Sequence, residues 1–210
     1  AQLLAYGSRV LLVDGTYDQA FELCLQAAPR FGWYNRNTGF NPFTREGKKT
    51  SSFEVWEQLG RVPDRIIVPT GDGNILSGVW KGWCDLYAAG LIDRLPKIDC
   101  AQSEGSAAIC RTIESIRTGG TDPDWRAVNI KRVAARTVAD SISVDQPRDG
   151  LAAVAAVETG RAPRDVGRRP GHRGFRSGRV VGPPGARWHR GGQPDAGDRV
   201  GEGLAVGFRL

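Results

Sequence analysis

Short aliphatic runs alternate along the chain with longer stretches in which apolar residues recur every three or four positions. The short runs predict strands, and the longer stretches predict helices. Because strands and helices alternate at this spacing, the pattern indicates an α/β fold with a parallel sheet covered by helices on both faces. Strands are predicted at 10–13, 65–68 and 97–102, and helices at 17–28, 41–60, 75–89, 106–117, 133–141 and 149–157.

The predicted helix that follows Asn41 and Pro42 ends at Gly60. Its aromatic and aliphatic side chains lie three positions apart, which is typical of a helix face that packs on a core. We therefore expect Phe53, Trp56 and Leu59 to be buried.

The most informative segment combines a strand, a glycine-rich turn and a helix. A β-branched run at 66–68 is predicted to be buried and stops at Pro69. Glycines allow the backbone to approach a ligand closely, and the N-terminus of the next helix attracts an anion. The segment therefore predicts a phosphate-binding turn, whose candidate residues are Gly71, Asp72, Gly73, Asn74 and Ile75.

Other glycine motifs fit this segment less well. A nucleotide P-loop requires Lys and Ser or Thr after its last glycine, whereas Val79 and Trp80 follow Gly78. A dinucleotide fingerprint requires a small residue where this chain has Leu76. A tight turn that binds no ligand remains an alternative.

Four segments of the chain, in order, carry a family resemblance: 6–20, 41–59, 68–78 and 95–107. They resemble the fold-type II pyridoxal-phosphate (PLP) enzymes, and among them most closely the threonine synthases. The resemblance extends over residues 1–157. It implies that the glycine turn binds the 5′-phosphate of PLP. It also implies a lyase that converts O-phosphohomoserine and water to threonine and phosphate in threonine biosynthesis. The alternatives within the fold are threonine/serine dehydratases and cysteate-synthase-like enzymes.

The same resemblance implies roles for basic residues. The Schiff-base lysine of the family lies in a Ser-x-Lys-Asp/Asn segment, which we expect upstream of Ala1, so no catalytic residue is assigned within the chain. Lys48, Lys49 and Lys81 are instead expected on solvated surfaces. Arg45 is expected to bind the substrate's phosphate, although its spacing from the next glycine differs by one from the family pattern; a surface arginine is the alternative.

Asp72 departs from the Gly or Asn that is common at this position of the family's turn. A carboxylate beside a phosphate dianion must point away from it or accept backbone N–H bonds. We expect one of these two arrangements.

The formal net charge of +6 belongs entirely to residues 158–210, which are rich in Gly, Arg and Pro and contain no lysine. The remaining body is neutral and gives no indication of nucleic-acid binding. We expect 158–210 to be disordered and to result from a frameshift; an RNA-binding or other polyanion-binding tail is the alternative. We expect residues 1–40 to be a remnant of the family's small domain, cut at its N-terminus, and 41–157 to be part of the PLP-binding domain.

The remaining expectations concern compartment and partners. The cysteines Cys24, Cys84, Cys100 and Cys110 show no metal-binding spacing, so we expect small buried residues in a reducing cytoplasm and no metal. No apolar run is long enough for a membrane span. The resemblance implies a small phosphorylated amino acid as the substrate and a homodimer for the intact relative.

Overall fold

The computed structural model describes residues 2–119, 124, 127–161 and 204–208. The seven helices within them are α1 (Gln2–Ala5), α2 (Tyr17–Phe31), α3 (Phe43–Lys48), α4 (Thr50–Leu59), α5 (Asn74–Ala88), α6 (Ala108–Thr118) and α7 (Gly150–Arg161). The four strands are β1 (Arg9–Val13), β2 (Arg65–Pro69), β3 (Lys97–Ala101) and β4 (Leu204–Phe208). The α/β class and the parallel pairing expected from the sequence are confirmed.

The strands form two parallel pairs. β2 pairs with β3, with Ile66 opposite Ile98, and β1 pairs with β4, with Arg9 opposite Leu204. The sequence pattern does not predict β4, because short apolar runs in its glycine-rich surroundings show no clear period. The predicted disorder and frameshift of the rest of 158–210 lie outside the described residues.

The main core lies on one face of the β2–β3 pair. Ile98 and Val68 point toward α5, α6 and α7 and are buried with Leu76, Ile109 and Val154. The opposite face is open in the described structure: Ile67 is 65% exposed, and Arg65 forms a salt bridge with Asp99 there. The prediction that helices cover both faces, and that the whole run 66–68 is buried, is therefore wrong for this pair of strands.

The predicted helix after Pro42 is two helices, α3 and α4, which pack against α5. Phe53 and Trp56 contact a second core cluster around Trp83, as predicted, but Leu59 is 50% exposed. Ser52 is buried instead, and its hydroxyl donates a hydrogen bond of 2.7 Å to the Val79 carbonyl. Because Ser52 and Leu59 are seven positions apart, they lie on the same helix face, which is buried at the start of α4 and exposed at its end.

Two further predictions require correction. Residues 133–139 form no helix; backbone bonds such as that from Arg136 N–H to the Gly105 carbonyl hold this segment against the body. All four cysteines are partly exposed rather than buried, and none is in a disulfide. In addition, α7 continues to Arg161, beyond the predicted end of this helix at residue 157. Glu158 in this extension forms a salt bridge of 2.7 Å with Arg117. No described helix is long and apolar enough to cross a membrane.

Candidate functional site

A cavity of about 560 Å³ opens at the carboxyl end of β2. The glycine turn forms one wall, and residues 140–145 form another. Tyr17 and Lys48 also line it. Ligands in parallel α/β sheets bind beyond the carboxyl ends of the strands, so the turn predicted from the sequence lies where a ligand site is expected.

The turn delivers backbone N–H groups to this cavity. Gly73 has a φ of +95°, a left-handed conformation that favours glycine, and it is the N-cap of α5 with no side-chain capping bond. The N–H groups in the first turn of a helix have no intrahelical acceptor. Such N–H groups, together with the helix dipole, are a favourable environment for an anion, and phosphate binding by this turn stays a prediction.

Both glycines of the turn are also required for packing. A Cβ at Gly73 would lie 2.9 Å from the Asp149 carbonyl oxygen, and one at Gly71 would lie 2.9 Å from the Ile142 Cα. Larger residues at either position would therefore displace neighbouring backbone.

Asp72 adopts the arrangement expected for an acid in a phosphate-binding turn. Its carboxylate accepts a hydrogen bond of 2.6 Å from the Arg148 backbone N–H. Burial raises the pKa of Asp72, because desolvation penalises the charged carboxylate. This hydrogen bond and the nearby Arg148 charge stabilise the charged form, but by less. The residue thus joins the turn to the segment before α7.

Asp149 is the central residue behind the turn, and the sequence analysis missed it. Its buried carboxylate accepts hydrogen bonds from Asn74 at 2.8 Å, from Ser77 at 2.9 Å and from Arg45. The only sequence signal is an acid directly before the glycine that begins α7. The 75 residues between Asp149 and Asn74 explain why local spacing does not reveal this contact.

The structure places the two basic candidates differently from the prediction. Arg45 is absent from the cavity lining, and its guanidinium forms a salt bridge with Asp149. Lys48, expected on a solvated surface, is partly buried and lines the cavity, so that expectation is wrong. Its ammonium donates a hydrogen bond of 2.5 Å to the side-chain carbonyl of Asn74.

Two other lysines lie outside the cavity in a partly exposed cluster of charges. Lys49 and Lys81 both bind Glu46 and Asp85, at distances between 2.9 and 3.3 Å. Burial is the largest single influence on the pKa of Asp85 and raises it. The hydrogen bonds from Lys81 and Lys49 together outweigh burial and hold this pKa below its ordinary value. The cluster joins α3 to α5 and leaves both amines paired.

The fold and this turn define a class of enzyme. Residues 1–173 match the model of the pyridoxal-phosphate dependent enzyme family, so the chain belongs to that family. The match extends beyond residue 157, where the sequence resemblance was placed. The cofactor of the family is pyridoxal phosphate, as the resemblance implies.

Curated relatives narrow the similarity further. The chain is 35% identical over 158 residues to threonine synthase of Methanocaldococcus jannaschii, and 32% identical over 158 residues to that of Methanosarcina acetivorans. Each alignment covers 75% of this chain and 36% of the relative. Threonine synthase of Mycobacterium bovis is 33% identical over 109 residues, which are 52% of this chain and 30% of the relative. The chain therefore spans about a third of the length of these relatives.

The residues present fit the cofactor's phosphate. The first turn of α5 supplies N–H donors, and the cavity beside them has space for a small molecule. A single ammonium, that of Lys48, adds positive charge among the described lining residues.

Proposed function

We propose that Gly71, Asp72, Gly73, Asn74 and Ile75 hold the 5′-phosphate of pyridoxal phosphate. The observation that carries this proposal is the left-handed Gly73 at the N-terminus of α5, facing a cavity at the carboxyl end of β2. Family membership supports the same role for the turn. Asp72 takes part through its backbone, since its carboxylate is turned toward Arg148 N–H.

The proposed reaction of the enzyme to which this chain corresponds is that of threonine synthase. O-Phosphohomoserine would lose phosphate and gain water to give threonine, and the relatives support this choice by their names. Pyridoxal phosphate supplies an electron sink for such chemistry. A threonine/serine dehydratase or a cysteate-synthase-like enzyme is the alternative within the family.

The described residues support binding and orientation rather than the chemical step. The turn would fix the cofactor's phosphate, and Asp149 holds the turn against α7 through Asn74 and Ser77. Arg45 stays a proposed ligand of the substrate's phosphate, but a direct contact would require it to leave Asp149. A homodimeric assembly and a cytoplasmic location belong to the same proposal.

A substitution at Ile75 tests the phosphate site without disturbing the glycines. The Ile75 side chain is 54% exposed and lines the cavity, so Ile75→Glu places a carboxylate beside the N–H donors. An acid in the first turn of a helix is favourable for helix stability. The variant should therefore keep or raise its melting temperature while binding of pyridoxamine 5′-phosphate weakens at least about tenfold, or about 1.4 kcal/mol.

Ile75→Gln is the matched control, because it has the same length without the charge. It should bind pyridoxamine 5′-phosphate within about twofold of the unsubstituted protein, as measured by calorimetry. The amine form of the cofactor avoids covalent reaction with lysines. Equal binding by the Glu and Gln variants would show that the phosphate lies elsewhere and would contradict the proposal.

A further inference from the structure

We infer that Lys48 is the cationic ligand for an oxyanion bound in this cavity, a role that the sequence resemblance gave to Arg45. The inference rests on the proposed function, since it assigns a further binding residue to the same site. The oxyanion is a phosphate group, which belongs either to the cofactor or to a phosphorylated substrate.

The position of Lys48 carries the inference. Its ammonium lies 2.5 Å from the side-chain carbonyl of Asn74, the first residue of α5. An ammonium has three N–H donors, and this hydrogen bond uses one of them. The others remain to bind an anion held by the same turn. The stem of Lys48 packs so closely on α5 that a Cβ at Gly78 would lie 2.8 Å from the Lys48 Cβ, which fixes where the side chain enters the cavity.

The charges around the cavity make Lys48 important for the binding of an anion there. The described lining residues include four carboxylates, those of Asp18, Asp72, Asp140 and Asp145, and one cation, Lys48. Arg45 is held by Asp149 outside the lining. Without Lys48, a phosphate dianion would meet four carboxylates and neutral polar groups, with no cation among the described lining residues.

The environment of Lys48 also predicts how phosphate binding should depend on pH. Burial lowers the pKa of Lys48. The negative charges of Asp72 and Asp149 raise this pKa in part, whereas the positive charge of Arg36 lowers it further. A bound anion favours the protonated amine, so phosphate should bind less well as alkaline pH removes that proton. Tyr17 lines the same cavity, and burial raises its pKa further, so its phenol stays neutral through most of the same range.

Three variants test the inference by calorimetry with inorganic phosphate, pyridoxamine 5′-phosphate and pyridoxamine. Lys48→Met keeps the stem and removes the charge, and Lys48→Arg keeps the charge at all accessible pH values. Lys97→Met removes an equal charge from the exposed, opposite end of β3 and is the control. We expect Lys48→Met to weaken both phosphate ligands at least about tenfold, about 1.4 kcal/mol, while pyridoxamine binding and the control are unchanged.

The pH series separates direct binding from a structural role. As the pH rises toward the ordinary lysine value of 10.5, phosphate affinity should fall for the unsubstituted protein, because burial lowers the pKa of Lys48 and its amine loses the proton before that value is reached. It should stay level for Lys48→Arg, which cannot lose its proton, and stay uniformly weak for Lys48→Met. Parallel pH profiles for all three proteins would overturn the inference.

The choice of ligand distinguishes a phosphate of the cofactor from a phosphate of the substrate. It also separates the inference about Lys48 from the proposed function of the glycine turn. Weaker pyridoxamine 5′-phosphate binding in Lys48→Met assigns Lys48 to the cofactor, whereas weaker binding of inorganic phosphate alone, added to the cofactor-loaded protein, assigns it to the substrate. If Lys48→Met binds every phosphate ligand normally while Ile75→Glu does not, the inference is wrong and the proposed function stands. If Ile75→Glu also binds normally, the proposed function fails independently.

Discussion

At the scale of single residues, Asp72 shows how the proposed phosphate-binding turn accommodates an acid. Its carboxylate accepts the Arg148 N–H and so joins the turn to the segment before α7. The arrangement carries a cost, because burial raises the pKa of Asp72. The native state therefore holds a proton on this group more tightly than the unfolded chain does.

Asp72→Asn tests this cost through its pH dependence. A raised carboxyl pKa means that ionised Asp72 disfavours folding, and this penalty grows as pH rises from the ordinary value of 3.8 through the raised pKa. Asn can still accept the Arg148 N–H but carries no charge. The variant should gain unfolding free energy relative to the parent at pH 7, and the gain should shrink toward pH 4.

Urea unfolding at both pH values measures this difference, with Asp64→Asn as a control because Asp64 is an exposed acid paired with Arg94 at the surface. A gain that is the same at pH 4 and pH 7 would show that ionisation of Asp72 is not its cause.

The sequence predicts the residues of the site whose role depends on local backbone. Gly71 and Gly73 are recognisable because a turn between a strand and a helix requires their conformational freedom. Asp149 and Lys48 are not, because their roles depend on contacts with Asn74 across the fold. The family pattern directed attention to Arg45, but its partner Asp149 lies 104 residues away, beyond any local spacing rule.

At the scale of secondary-structure elements, α4 packs closely on α5 at Gly82. A Cβ on Gly82 would lie 2.4 Å from the Lys49 carbonyl oxygen and 2.7 Å from the Ser52 Cβ. This close approach explains why Ser52 is fully buried on the helix face where the aromatic spacing predicts Leu59.

Gly82→Ala should therefore destabilise the protein although alanine favours helices. Inserting a methyl group into a well-packed contact costs about 1–3 kcal/mol. Gly47→Ala is the matched control, since no atom lies within 4 Å of its added Cβ and α3 should gain about 0.5–1 kcal/mol. Chemical denaturation of both variants checks the prediction, and equal effects of the two substitutions would contradict it.

Helices and strands could be predicted from the sequence where the hydrophobic period was strong. The prediction was poorer where tertiary contacts determine the backbone conformation. The period around Leu76 and Trp83 predicts α5 to within a residue of its observed bounds. The segment 133–139 resembles a helix in composition, yet its backbone groups bind Gly105 and Asp145 instead. The alternation of exposed Ile67 with buried Val68 likewise depends on which helices cover the sheet.

At the scale of the whole molecule, the chain spans about a third of its threonine synthase relatives. Within the described residues, the β2–β3 pair is covered on one face, and the cavity lies at its carboxyl end. In the proposal above, the phosphate-binding turn lies in this chain, whereas the family pattern places the Schiff-base lysine in another segment. This separation leads to a prediction about covalent chemistry.

The chain should bind pyridoxal phosphate reversibly, without a stoichiometric lysine adduct. None of its five lysines lies in the family's Ser-x-Lys-Asp/Asn context. Lys48 is the most demanding test, because it lines the cavity and its lowered pKa increases the share of reactive neutral amine. The phosphate and the aldehyde are attached to different ring carbons of the cofactor, however, so an ammonium held at the phosphate is not positioned at the aldehyde.

Borohydride reduction of the protein mixed with pyridoxal phosphate, followed by peptide mapping, measures this directly. We expect weak labelling spread over Lys48, Lys49, Lys81, Lys97 and Lys131 rather than one complete modification. Lys48→Arg serves as the control, because it preserves the charge at the phosphate and removes the only amine among the described cavity-lining residues. A single stoichiometric adduct on Lys48 that disappears in this variant would contradict the prediction, since it would place the cofactor's aldehyde, and not its phosphate, beside that residue.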